Sequence, residues 1–162
     1  SLTSRSEGGK MADLPKISYS DGGVHVTVDL RALDQRMREA QQWLGDRVLE
    51  DCKACMPLLT GSLQQRSHTE DDGKKVVFPG PYARYQYGGK VMVDSVTGKG
   101  PRKIPTGPGE YILRFRKGAK LVATDRPLKY SNTQAVPQWF EHAKRQNKQF
   151  WIDGVKEKIG GK

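Results

Sequence analysis

The chain has no long hydrophobic run. Only 35% of its 162 residues are hydrophobic, and no apolar stretch approaches the roughly 18 residues that cross a bilayer. No charged-then-apolar signal sequence opens it, so no targeting to the secretory pathway is expected. With two cysteines it has too few for a disulfide framework. The three histidines (His25, His68 and His142) stand far apart in sequence. No HExxH, Ser-centred elbow or paired-carboxylate motif accompanies them. Gly98-Lys99-Gly100-Pro101 lacks the GK[ST] ending of a phosphate loop, and its proline interrupts the row of amides that cradles phosphate. These absences remove the common hydrolase, zinc-protease and nucleotidase readings. The chain reads as a non-enzyme with no catalytic residue, no cofactor and no metal.

Acidic residues are also scarce: 18 Asp and Glu face 28 Lys and Arg, for a net charge of +10. From Lys99 to Lys129 nine basic residues (Lys99, Arg102, Lys103, Arg114, Arg116, Lys117, Lys120, Arg126 and Lys129) meet two acids, Glu110 and Asp125, a net +7. The remainder therefore carries +3. Counterion release makes such a segment a candidate for sequence-nonspecific nucleic-acid binding or for an acidic protein neighbour.

Residues 1–16 read as a cloning remnant or disordered arm, with Met11 the expected native start. Residues 17–162 then form one domain of α+β class. Ile17–Tyr19 and Val24–Val28 flank Asp21-Gly22 as a hairpin, and the valines at 24, 26 and 28 alternate with His25 and Thr27. A long helix follows. Leu30, Leu33, Met37, Ala40, Leu44, Val48, Cys52 and Cys55 share one stripe, with Asp29 the expected N-cap and Pro57 the stop. After Pro57 the pattern predicts a turn and a strand to about Thr69. Asp71-Asp72-Gly73 then turns, in preference to holding a metal, into a return strand from Lys75 to Phe78. Tyr82–Tyr87 reads as a short helical turn in which packing is favoured over base stacking. Glycine and proline fill residues 90–135, which read as a long mobile loop with one possible strand at Tyr111–Phe115. Val136–Ile159 reads as a second amphipathic helix with Pro137 in its first turn and Phe150 or Trp151 on the apolar stripe. The expected whole is a small antiparallel sheet of two hairpins packed against two helices.

Cys52-Lys53-Ala54-Cys55 is the one motif that suggests chemistry. A redox pair needs a lowered thiol pKa, and the C-terminal end of a helix has the wrong dipole for that. A spacing of three on an apolar stripe fits two buried core thiols, with a disulfide or half of a metal site as the alternatives.

The segments Pro57-Leu58-Leu59-Thr60-Gly61-Ser62-Leu63 and Pro81-Tyr82-Ala83-Arg84-Tyr85-Gln86-Tyr87-Gly88-Gly89, separated by a hairpin, resemble the minor capsid proteins of tailed bacteriophages and prophages, of the head–tail joining and tail-completion type. Trp139-Phe140-Glu141-His142-Ala143-Lys144 and Trp151-Ile152 are similar to the end of that family. The resemblance assigns structural roles to Thr60, Gly61, Leu63, Pro81, Tyr82, Ala83, Gly88, Trp139, Phe140 and Trp151. It implies a virion protein at the neck, made in the bacterial cytoplasm, with head, neck and tail proteins as partners and a homo-oligomeric assembled state.

Overall fold

The computed structural model describes residues 16–32, 34–57, 62–80, 83–130 and 132–160. Its first unit is the expected hairpin, Lys16–Ser20 (β1) paired antiparallel with Gly23–Thr27 (β2). Val24 and Val26 are fully buried while His25 and Thr27, on the opposite face, are half-buried. His68–Glu70 (β3) and Lys75–Phe78 (β4) form the second hairpin. Pairing of β2 with β4 joins the two into one antiparallel sheet of order β1-β2-β4-β3.

The long helix, α1, spans Gln35–Lys53 and begins later than the stripe suggests. Its N-cap is Asp34, whose Oδ1 accepts the amide of Met37 at 2.9 Å. Asp29 instead accepts the Arg31 amide at 2.7 Å in a local turn, so Leu30 is buried from a loop. The helix also ends at Lys53, short of Pro57. A second short helix, Ser62–Arg66 (α2), replaces the first part of the expected strand. Gln64 Nε2 donates to the Lys53 carbonyl at 3.0 Å, so α2 helps close the end of α1, whose last carbonyls lack intrahelical partners. Ala83–Gly88 is α3, the expected helical turn, and Trp139–Gly160 is α4. Pro137 lies outside α4, because Gln138 has a left-handed φ of 51° and donates its amide to the Tyr87 carbonyl.

Helices α1 and α4 run antiparallel across the sheet. Arg36 at the start of α1 reaches the Ile159 carbonyl, and Cys55 beyond its end contacts the Trp139 carbonyl. The core between them holds Leu44, Val48, Phe78, Trp139, Phe140 and Trp151. Trp139 meets Phe78 and Tyr87 edge-on, with ring centroids 5.7 and 4.7 Å away, while Phe140 stacks on Trp151. Truncating a buried aromatic of this size costs about 3–5 kcal/mol, against a few tenths for a surface pair such as Gln149–Asp153. Aromatic burial therefore fixes α4. Trp151 occupies the apolar stripe, and Phe150 is 55% exposed.

One buried polar side chain sets the helix on the sheet. Gln41 is 1% exposed; its Nε2 donates to the carbonyls of Val28 (3.1 Å) and Gly73 (3.0 Å), and its Oε1 accepts the Leu30 amide (2.5 Å). One turn on, Gly45 lies against the β3–β4 turn so closely that a Cβ there would stand 2.3 Å from the Gly73 carbonyl oxygen. Among the described residues no helix is long and apolar enough to cross a membrane.

Replacing Gln41 by Leu leaves the Leu30 amide without its acceptor and should destabilise the fold by about 1–3 kcal/mol in a denaturant titration. Gln42→Ala, on the exposed side of the same turn, should stay within about 0.5 kcal/mol.

Candidate interaction surface on a basic arm

Residues 90–127, expected as a loop with one possible strand at Tyr111–Phe115, fold into two ribbons that include that strand. Lys90–Asp94 (β5) pairs with Leu121–Pro127 (β8), and Arg102–Gly107 (β6) pairs with Glu110–Arg114 (β7), both antiparallel. The β6–β7 hairpin is an excursion between β5 and β8. Turns near Gly98, Gly109 and Gly118 separate the strands, so glycines that suggested a loop punctuate a strand-rich arm. Pro105 and Pro127 are tolerated because these ribbons consist only of edge strands, and Pro101 lies just before β6.

The exit from α3 into the arm depends on Gly89. Its φ is +79°, and a Cβ would stand 2.6 Å from Pro137 Cβ. Gly88, assigned the structural role by motif, has open space around it. The other motif residues within the described set belong to the core: Leu63, Ala83, Trp139, Phe140 and Trp151 are buried. Thr60, Gly61, Pro81 and Tyr82 lie outside the described residues, as do Leu33, Leu58 and Leu59.

All nine basic candidates have exposed side chains: Lys99, Arg102, Lys103, Arg114, Arg116, Lys117, Lys120, Arg126 and, just past β8, Lys129. Arg102 and Arg114 are directly opposed across β6–β7. Like charges in that position cost about 0.2–1 kcal/mol, which a bound anion would offset. Lys103 Nζ sits 4.8 Å from the centroid of the Tyr111 ring.

Arg116 has a different task. Its guanidinium grips Asp94 with two hydrogen bonds, Nε to Oδ2 at 2.5 Å and Nη2 to Oδ1 at 3.2 Å, tying the chain just after β7 to the end of β5. Asp94 Oδ1 also accepts the Val96 amide at 2.8 Å, and the carboxylate is almost fully shielded. Arg116, followed by the amides of Val96 and Thr97, holds this carboxyl below the ordinary aspartate range. The exposed Arg116 side chain is thus paired with a carboxylate of the arm itself.

The other candidates for chemistry resolve into packing. Cys52 and Cys55 are free, buried thiols in the core, and burial pushes both pKa values up, the reverse of what a reactive thiolate needs. Tyr87 is buried, its hydroxyl bonded to Glu141, with its pKa raised first by desolvation. His68 lies on the exposed β3 edge between the Arg66 carbonyl (2.8 Å) and Glu70 (2.9 Å), which raise its pKa. Among the described residues no group of three or more His, Cys, Asp or Glu side chains is placed to hold a metal ion. Asp71 and Asp72 form the expected turn, both with left-handed φ.

Comparison with protein-family models, curated proteins and solved structures gives no match.

The depressed Asp94 pKa fixes the sign of a pH effect. Its contribution is present above the ordinary value of 3.8 and is lost as pH falls through the lower folded-state value. Backbone order at Ser95–Lys99, followed by 15N relaxation, should therefore hold at neutral pH and fall in acid. Arg116→Gln should produce the same loosening at neutral pH, and Lys117→Gln should not.

Proposed function

We propose that the chain is a structural virion protein, a minor capsid or head–tail joining component that acts by protein–protein assembly and performs no catalysis. The observation that carries this reading is the division of labour in the chain. A body closed by buried aromatics holds up an arm on which the basic side chains are concentrated and exposed. The resemblance of the sequence motifs between Pro57 and Gly89, and of the final helix, to the minor capsid proteins supports the family part of this reading. Their described residues hold the body together, which leaves the arm as the working surface.

In this reading the arm enters the assembly already folded as ribbons, and it does not need a partner to become ordered. Its partners are neighbouring head, neck and tail proteins and further copies of the chain, at the head–tail junction of a virion made in the bacterial cytoplasm. Purified protein should form oligomers, or complexes with the portal, adaptor or tail proteins of its own phage, by native mass spectrometry. Absence of both refutes the proposal.

The opposed Arg102–Arg114 pair favours a second reading, nonspecific binding of nucleic acid along the arm. DNA affinity should then fall steeply with salt. Arg102→Gln with Arg114→Gln should lower both the affinity and the salt slope, by about one unit of slope for each phosphate no longer neutralised. Because Arg116 is committed to Asp94, Arg116→Gln should act through loss of arm order. An affinity indifferent to the Arg102 and Arg114 substitutions excludes this second reading.

A further inference from the structure

A cavity of about 100 Å³ lies where the arm meets the body. Its apolar walls come from distant parts of the chain: Tyr85 of α3, Met92 of β5, Leu113 of β7, and Leu128 and Tyr130 beyond β8. An engineered apolar cavity of about 150 Å³ accepts benzene, so this space suits one aliphatic or aromatic side chain. Several polar groups around it are already hydrogen-bonded. The Tyr130 hydroxyl donates to the Gln86 carbonyl at 2.7 Å, the Leu128 amide to the Gly89 carbonyl at 2.9 Å, and Thr124 Oγ1 to the Val91 carbonyl at 2.8 Å. What the cavity offers is mainly apolar contact, with the Gln86 amide and the Lys90 and Lys129 ammonium groups the polar parts of its lining.

Charge supplies the second half of the argument. Lys90 and Lys129, both exposed, are part of the cavity lining, and no carboxylate among the described residues joins them. On the cavity-facing side of β6–β7, Lys103 lies across from Leu113. An apolar socket with a cationic rim complements an apolar side chain flanked by carboxylates. Desolvated pockets of this kind are where interfaces concentrate their affinity, and the surrounding charges set approach and orientation.

We propose that this cavity receives a single aliphatic or aromatic side chain from an acidic segment of a partner protein. The proposal rests on the assembly reading above and names the partner chemistry that the arm selects. The cavity is the anchor point, and the lysines hold the flanking carboxylates.

The test uses the full chain with 13C-labelled Leu and Met methyls, titrated with the peptide acetyl-Asp-Phe-Asp-Glu-amide. Methyl shifts should appear at Met92, Leu113 and Leu128 and saturate in the millimolar range. The matched peptide with Ala in place of Phe should bind at least about ten-fold more weakly. Leu113→Gln should abolish the shifts at Met92 and Leu128. The exposed substitution Lys129→Glu, which leaves the walls intact, should weaken binding several-fold. Equal binding of the Phe and Ala peptides would overturn the proposal, since charge alone would then account for the contact. Absence of shifts at these methyls overturns it too, as does displacement of the peptide from them by an oligothymidylate. Failure of the chain to associate with virion proteins leaves this titration unaffected, so the two ideas fail separately.

Discussion

The carboxamide of Gln41 is the contact on which the rest of the molecule depends. It is the only side chain that bonds at once to the loop before α1 and to the turn between β3 and β4 among the described hydrogen bonds. An amide can do this because it offers donors and an acceptor together, and inside a core each of those groups is costly if left unmatched. The Gly45–Gly73 approach then removes any room for α1 to slide. With α1 fixed, the position of α4 follows, since Asp51 takes both the Trp151 indole N–H at 2.6 Å and the Arg47 guanidinium. The α4 entrance is clasped as well, by the Val136 amide on the Cys55 carbonyl and the Gln138 amide on the Tyr87 carbonyl. The arm leaves from beside that second clasp.

The α+β class and both hairpins of the main sheet were legible from alternation and turn chemistry, and the two long helices from their apolar stripes. What the stripe could not show was where periodicity ends and coincidence begins. Leu30 keeps helical spacing yet is buried from a loop, because Asp29 bonds its own neighbourhood and leaves capping to Asp34. The short helix α2 was hidden because its cause is tertiary: Leu63 is buried, and Gln64 reaches the open end of α1. Val91-Met92-Val93 and Leu121-Val122-Ala123-Thr124 carried a strand signal that the surrounding glycines and prolines obscured. The cavity at the arm's base was not readable at all, since Tyr85, Met92, Leu113 and Tyr130 come together only through the fold.

Seven of the chain's ten net positive charges sit on the least buried part of its architecture. Isolated two-stranded ribbons are only marginally stable in water, and like charges on them make matters worse. The Asp94–Arg116 pair answers both problems, because it joins the ends of two ribbons and satisfies the shielded Asp94 carboxylate. The charges that project outward are therefore held on a scaffold whose geometry does not depend on what they bind.

The antiparallel packing of α1 and α4 also bears on how the chain comes off the ribosome. Asp51 and Trp151 are 100 residues apart in sequence, so the body cannot close until the last helix has emerged. Both hairpins, α1 and the whole arm precede it, and each is assembled largely from local contacts. During synthesis the apolar faces of Leu44 and Phe78 await Trp139 and Trp151 while the cationic ribbons are already outside. A nascent chain of this design keeps its like-charged surface exposed through the interval when its core is open, and mutual repulsion between neighbouring nascent chains then guards against aggregation.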